Sequence, residues 1–296
     1  MLQIQQIKEN KEATIAGLKK KHFKNAEEAV EQIIALDDKR RETQNELDST
    51  LAKSNALAKE IGGLMKAGKK EEAEAAKAET STLKARSKEL DETLKSIETE
   101  LYEVQVTLPN LPHSSVPEGK TPEENEVILE NGSIPTLAED ALAHWDLIKK
   151  YDIIDFELGN KITGAGFPVY KGKGARIQRA LINFFLDEAI AAGYVEVQPP
   201  ILINKDSGFG TGQLPDKDGQ MYHATVDDLY LIPTAEVPIT NMYRDVILQE
   251  AELPVKNAGY TPCFRREAGS WGAHVRGLNR LHQFDKVEIV RIEKPE

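Results

Sequence analysis

Phe264-Arg265-Arg266-Glu267-Ala268-Gly269-Ser270, a short loop, and then Arg280-Leu281-His282-Gln283-Phe284-Asp285-Lys286-Val287-Glu288 decide how this chain is read. Two apolar-edged segments flank a stretch holding Gly269, Gly272 and Gly277 with His274 and Arg276. That composition predicts two antiparallel strands joined by a flexible loop. Residues two apart on a strand share a face, so Arg265 and Glu267 are expected to reach into one pocket, with Arg266 on the opposite face. The planar fork of Arg grips phosphate and carboxylate oxygens at two points, and a carboxylate beside it accepts from an amine or hydroxyl. That equipment suits a nucleotide and a zwitterion together.

Composition bounds the rest. The 296 residues carry 38 Lys and Arg against 49 Asp and Glu, a net charge of -11. An acidic total does not suit a general nucleic-acid coat or a DNA-binding surface, so any RNA contact is expected to be local. The single cysteine, Cys263, leaves no internal disulfide framework and no multi-Cys zinc site. Its apolar surroundings predict a small buried hydrophobe. No stretch reaches the ~18 apolar residues of a membrane span. The amino terminus lacks a basic region followed by an apolar one, so a soluble cytoplasmic protein without a signal peptide is expected.

Residues 37–108 form a polar, Ala-rich region without Pro, Trp or Phe. Its second half carries a heptad seam: Ala76, Thr80, Leu83, Ser87, Leu90, Leu94, Ile97, Leu101, Val104, Leu108. Steps alternating between four and three are coiled-coil spacing. A looser seam precedes it at Leu47, Leu51, Ser54, Ala58, Ile61 and Met65, and Gly68 between the two can supply a turn. The pattern predicts an antiparallel helical hairpin within residues 37–108 with its tip near Lys66–Lys70, preceded by a mixed, mostly helical stretch to about residue 36, the whole of 1–108 forming a helical arm. Prolines 109, 112, 117, 122 and 135 make residues 109–137 a linker, and residues 138–296 read as globular. Within them, 177–192 is an amphipathic helix with Leu181, Phe184, Phe185 and Ile190 on its apolar side, leading into a strand closed by Pro199 and Pro200. Thr234 with Glu236 reads as a helix start, the helix running to about Glu250.

The block Phe-Arg-x-Glu-Ala-Gly-Ser, a loop, Arg-Gly-Leu and Arg-x-His-Gln-Phe-x-Lys-Val-Glu resembles motif 2 of the class II aminoacyl-tRNA synthetases, and specifically that of the seryl-tRNA synthetase family. Residues 177–200 resemble motif 1, which builds the dimer interface in that group. Tyr230-Leu231-Ile232-Pro233-Thr234-Ala235-Glu236 resembles the serine-holding segment. The resemblance implies an α+β fold, a coiled-coil arm on a class II core built around an antiparallel sheet. It implies activation of L-serine with ATP and Mg²⁺ and transfer to tRNA(Ser) by a homodimer; no metal ligand is assigned in this sequence, and the remaining Mg²⁺ and serine contacts are expected in the part that is absent.

Carried over residue by residue, the resemblance implies that Arg265 holds the α-phosphate and stabilises charge as the adenylate forms. Arg280 meets the phosphate tail, Glu267 accepts from the adenine amino group, and Phe284 stacks under adenine. Leu281 flanks the base, and Arg266 belongs to the same ATP segment. Thr234, Ala235, Glu236 and Glu288 hold serine. Lys53, Lys59, Lys66, Lys69 and Lys70 at the arm tip, together with Arg276, meet tRNA. The substrate carboxylate is itself the nucleophile, so His282 is expected to be structural. The Gly-rich run 208–215 lacks the Lys-Ser/Thr ending of a phosphate loop and resembles a mobile loop of the seryl enzymes.

Three departures stand out. Ala273-His274-Val275 replaces the family's usual Arg-Asp-Thr, and Leu214-Pro215-Asp216-Lys217 carries an extra residue. Motif 3 is absent from the sequence, so the chain is expected to be a fragment, inactive alone. A non-catalytic RNA-binding scaffold is the alternative to an enzyme, and serine-dependent exchange of pyrophosphate into ATP separates the two. A ligase loading a carrier protein is a further alternative, against which the arm speaks.

Overall fold

The heptad pattern folds into the expected hairpin. In a computed structural model that describes residues 1–267 and 276–294, two short helices, α1 (Ile4–Glu9) and α2 (Lys11–Lys20), precede two long ones, α3 (Ala26–Lys66) and α4 (Lys70–Gln105). Glu27 and Glu28 sit in the first turn of α3, where acidic side chains complement the exposed N–H groups, and Lys66 sits in its last. Gly68 closes the tip with φ of +74°, a backbone conformation that costs glycine nothing.

Polar pairs across the hairpin define its register. Gln32 bonds to Glu100, Arg86 to Glu46 and Lys53 to Glu79, one number rising as the other falls. Leu47, Leu90 and Leu94 form the mid-arm core. Some positions depart from the predicted seam. Leu51 is 42% exposed, and below Ser54 the residues Leu57 and Leu64 turn inward while Ala58 and Met65 stay exposed; Leu57 gains more by burial than the smaller Ala58. At the base, Ile7, Leu18, Val30, Ile33, Leu36, Leu101 and Leu108 pack into one cluster. Asp37, 1% exposed, fastens α1 to α3 through Lys8 at 3.0 Å, Arg40 at 2.9 Å and Arg41 at 2.9 Å.

The chain divides into two units, Met1–Ser133 and Ile134–Glu296. The irregular stretch after the arm contains a single-turn 3-10 helix, Pro122–Glu124, whose Glu124 carboxylate accepts the Lys120 and Thr121 amides. The second unit opens with α5 (His144–Lys150), β1 (Ile154–Asp155), α6 (Phe156–Ile162) and β2 (Val169–Tyr170). Then follow α7 (Lys173–Ala191), β3 (Val195–Glu196), β4 (Leu202–Ile203), α8 (Lys205–Gly210), β5 (His223–Ala224), β6 (Leu229–Leu231) and α9 (Glu236–Asn241). The long hairpin β7 (Val255–Phe264) and β8 (Gln283–Ile292) closes it. β7 pairs antiparallel with β8 and parallel with β3, while β4, β6 and β5 form a second, antiparallel sheet. Mixed α and β elements with a largely antiparallel hairpin sheet are the fold class the sequence implies.

Helix α7 turns Gln178, Ile182, Leu186 and Ala189 toward the β3–β7–β8 sheet, a spacing of one helical face. The apolar residues read from sequence, Leu181, Phe184, Phe185 and Ile190, are exposed, as is Ile177. One local expectation is corrected. The helix starting near Thr234 stops at Asn241 and does not reach Glu250: the Asn241 amide ties back to the Val237 carbonyl and across to Ser207, and Asp245 follows in a left-handed conformation. The Gly-rich run begins as the packed helix α8, where a Cβ on Gly208 would lie 2.7 Å from the Leu214 side chain.

Candidate active site

The β7–β8 register sorts the motif residues into two faces. Glu288 lies opposite Gly259, Lys286 opposite Thr261, and Phe284 opposite Cys263. Alternation therefore puts Phe284, Lys286 and Glu288 on one face, floored by the buried Thr261 and Cys263. Gly259 matters here: a Cβ would stand 2.8 Å from the Val197 carbonyl oxygen and 2.9 Å from Ile239. Its bare backbone lets the end of β3 and α9 close over the hairpin. Burial pushes the Cys263 thiol pKa up, so it stays a protonated hydrophobe, as the sequence implied.

The opposite face is a scaffold. Tyr260 donates to Asp285 at 2.6 Å, and Gln178 of α7 reaches the same carboxylate. Burial, then the Asp285 hydrogen bond, pushes the Tyr260 pKa up to about 12 and keeps it a donor.

On the site face a polar cluster joins two elements distant in sequence. The Thr234 hydroxyl donates to Glu288 Oε2 at 2.8 Å. Lys286 Nζ lies 3.0 Å from Thr234 Oγ1 and 2.5 Å from Glu288 Oε2. The Glu236 amide donates to Thr234 Oγ1 at 3.2 Å. Thr234 is 4% exposed and Ala235 is fully buried against Ile239 and Val290, whereas Glu236 is exposed at the start of α9. What Ala235 can offer a ligand is therefore backbone, and what Glu236 offers is its carboxylate.

Arg265 lies beside this cluster. Its Nε donates to the Pro233 carbonyl at 3.4 Å, and its guanidinium sits 5.1 Å from the centre of the Phe284 ring. Its amide donates to the His282 carbonyl at 3.0 Å. The expectation that Arg265 and Glu267 share a strand face is corrected: β7 ends at Phe264, and Glu267 has φ of +47°. What brings Glu267 inward is the turned backbone, not the pleat. It is 14% exposed and pairs with Arg280 at 3.6 Å. Arg266 is exposed, its amide held by the Gln220 carbonyl. Leu281 is buried directly before His282. His282 is locked by Tyr222 at 2.8 Å and by stacking on Phe167, a structural role as expected. Arg276 stacks on Trp145 at 4.9 Å, and the Leu278 amide donates to His144. Residues 268–275, including Ala273-His274-Val275, lie outside the described residues.

Residues 1–112 match a family described as the seryl-tRNA synthetase N-terminal domain, and residues 221–296 match the tRNA synthetase class II core domain (G, H, P, S and T). The serine--tRNA ligase of Chlorobium phaeovibrioides is 43% identical over 298 residues, covering 100% of this chain and 69% of that protein. The chain belongs to the seryl-tRNA synthetase family. Another member, the serine--tRNA ligase of Salinibacter ruber, is 48% identical over 267 residues, 90% of this chain and 62% of the relative. This chain thus spans between three fifths and seven tenths of the length of these relatives. A seryl-tRNA synthetase from Pyrococcus horikoshii, solved complexed with ATP, superposes with a TM-score of 0.84 at 30% identity over 98% of this chain and 69% of its own. A Naegleria fowleri serine-tRNA ligase, at 24% identity and a TM-score of 0.79, shares the fold.

The arm of this seryl-tRNA synthetase family member distributes its tip lysines unevenly. All five are exposed, but Lys53 pairs with Glu79 at 3.2 Å and Lys69 with Glu72 at 3.0 Å. Counting charges from Lys53 to Lys70 alone missed these acids: the turn brings Glu79 back alongside Lys53, and Glu72 lies three residues beyond Lys69 in α4. Lys59, Lys66 and Lys70 have no such partner among the described residues. Sequence reasoning also passed over Lys286. The signal was available: Phe284 and Glu288 had both been singled out, and the residue midway between them shares their strand face.

Proposed function

We propose that the protein activates L-serine with ATP to seryl-adenylate and transfers the serine to tRNA(Ser), acting in the cytoplasm as a homodimer. The observation that carries this reading is the joining of Thr234, Lys286 and Glu288 on the hairpin face next to Arg265 and Phe284. A hydroxyl-reading carboxylate and a phosphate-gripping guanidinium stand side by side, as an amino-acid adenylation site requires. The ATP with which the Pyrococcus horikoshii enzyme was solved supports a nucleotide there.

The residues fit that nucleotide. Phe284 offers a ring face to adenine, Glu267 an acceptor for its amino group, and Leu281 an apolar flank. Arg265, Arg266 and Arg280 supply cationic forks for the phosphate tail. As serine's carboxylate oxygen attacks the α-phosphorus and pyrophosphate leaves, negative charge builds on the α-phosphate oxygens. Arg265 is held by Pro233 and Phe284 before that charge develops, which is how a fixed dipole or cation lowers a barrier. Glu236 and Glu288 take the serine ammonium and hydroxyl. Among the described residues no group of three or more His, Cys, Asp or Glu side chains is arranged to hold a metal. Mg²⁺ fits this chemistry as an ion held mainly by the nucleotide's phosphates.

Residues 1–108 act as the tRNA arm, with Lys59, Lys66 and Lys70 as its available cations and Lys53 and Lys69 partly neutralised. Residues 109–137 link it to the core, and Arg276 meets the acceptor end. The exposed Ile177, Leu181, Phe184 and Phe185 on α7 form the homodimer face. Serine-dependent exchange of labelled pyrophosphate into ATP by the full-length protein tests the reading, and no exchange above the serine-free rate refutes it.

A further inference from the structure

We propose that Lys286 is a positioning and specificity-determining residue of the amino-acid pocket, one that fixes Glu288 and cancels its charge so that Glu288 reads a hydroxyl and rejects a second ammonium. The inference deepens the serine-activation reading and rests on it. A hydroxyl has one proton to donate and two lone pairs. Thr234 Oγ1 uses all three, accepting from Lys286 at 3.0 Å and from the Glu236 amide at 3.2 Å, and donating to Glu288 at 2.8 Å. Thr234 is thereby saturated and serves as a strut. The Thr234 hydroxyl and the 2.5 Å contact from Lys286 together occupy Glu288 Oε2. Glu288 Oε1 has no partner among the described residues.

The two acids of the pocket thus differ in charge balance. Glu236 is exposed and uncompensated among the described residues, while Glu288 with Lys286 is neutral as a pair. Serine brings one ammonium, which a single uncompensated carboxylate matches, and one hydroxyl, which donates to Oε1. An isostere with an ammonium in place of that hydroxyl, L-2,3-diaminopropionate, brings a second positive charge up to Lys286. Like charge set against the wrong ligand is a discrimination device as much as a fitted contact is.

Pyrophosphate exchange by the full-length protein, measured with serine and with L-2,3-diaminopropionate, tests this in wild type, K286M, K286Q, K286R and the K286M/E288Q double variant. K286M is expected to raise KM for serine about tenfold or more, the size expected for a lost charged hydrogen bond, with a smaller change in kcat. The preference for serine over diaminopropionate should narrow, and K286R should recover part of both. In the E288Q background, K286M should add less than about threefold, because the partner through which it acts has already lost its charge. K286Q replaces K286M if the latter shows no cooperative thermal unfolding. An unchanged serine KM and unchanged preference in a folded neutral variant overturn the proposal, as does full additivity with E288Q. Wild type without serine-dependent exchange overturns the functional reading and this inference with it, an outcome distinct from an active wild type with an indifferent Lys286.

Discussion

Glu288→Gln removes one charge and almost no volume, so its effect can be worked from the bonds around the carboxylate. Oε2 accepts from Thr234 at 2.8 Å and from Lys286 at 2.5 Å, both donors. An amide in that place has two orientations. With its NH2 toward Lys286 and Thr234, donors face donors and an ammonium faces an amide dipole of the wrong sign. With its oxygen toward them, both bonds survive and the NH2 faces the pocket. The second orientation wins, and serine's hydroxyl then accepts from an amide where it had donated to a carboxylate. A charged hydrogen bond worth about 1.5–3 kcal/mol becomes a neutral one worth about 0.5–1.5 kcal/mol. The loss of roughly 1–1.5 kcal/mol corresponds to about tenfold in affinity. Alanine makes no such bond and should lose nothing. The ratio of kcat/KM for serine over alanine in pyrophosphate exchange is therefore expected to fall about tenfold in the full-length protein. An active variant with an unchanged ratio would falsify the assignment of Glu288 as the hydroxyl reader.

Arg265→Ala should lower the rate of exchange by at least about 10²-fold while serine affinity changes little, since its charge is needed where phosphate charge develops. A variant with near-normal kcat sinks that role. Replacing Lys59, Lys66 and Lys70 by Ala should leave exchange intact and weaken tRNA binding, flattening its salt dependence by about 0.7–0.9 in slope per lost phosphate contact. Exchange lost with tRNA affinity retained reverses the assignment of the arm. Leu181→Ser with Phe184→Ser should shift the mass seen by light scattering from dimer toward monomer. A wild-type protein that is monomeric at micromolar concentration already refutes the α7 interface. At the arm base, burial by itself would raise the Asp37 pKa, but hydrogen bonds from Arg40 and Lys8 outweigh it and hold it below the ordinary carboxylate range. A carboxyl whose folded pKa is depressed stabilises the fold above its unfolded value and loses that contribution as pH falls. Acid unfolding of the arm should therefore begin below about pH 4, the unfolded Asp value. Asp37→Ala should cost about 1.5–3 kcal/mol at pH 7 and much less at pH 2, measured by denaturant unfolding. An equal cost at both pH values assigns Asp37 a packing role only.

The arm was legible because a coiled coil is written in a local period. Leu90, Leu94 and Leu101 each bury themselves by the same rule, and Gly68 can end one helix and start the next without help from elsewhere. The seam slipped at Leu51, which is 42% exposed, and at Leu57 and Leu64, which turn inward in place of Ala58 and Met65. Along α7 the helix itself was legible but its faces were not. Phe184 and Phe185, read from sequence as its apolar side, are exposed, and Gln178, Ile182, Leu186 and Ala189 meet the sheet. A polar residue takes a core-facing position there because Asp285 waits on the strand to receive it, a partner that lies 107 residues away in sequence.

The site was legible to the extent that strand alternation governs it. From Phe284 to Glu288 the pleat holds, and every second residue faces the pocket. Before β8 and after β7 it does not hold. Arg265, Glu267 and Arg280 stand outside the strands, and their convergence depends on the left-handed turn at Glu267 and on carbonyls supplied by Pro233 and His282. No period in the sequence encodes those contacts. Lys286 falls in the legible part and was still passed over, because a cation beside a substrate-reading carboxylate looks like a solvated strand charge until its neighbours are known. The Thr234 hydroxyl is the neighbour that decides it. With that oxygen saturated, Lys286 cannot be withdrawn without leaving Glu288 an uncompensated charge, 18% exposed, facing the ligand. On the proposed reading the lysine is thus bound up with the carboxylate's function, and a strand position that reads as surface belongs to the pocket.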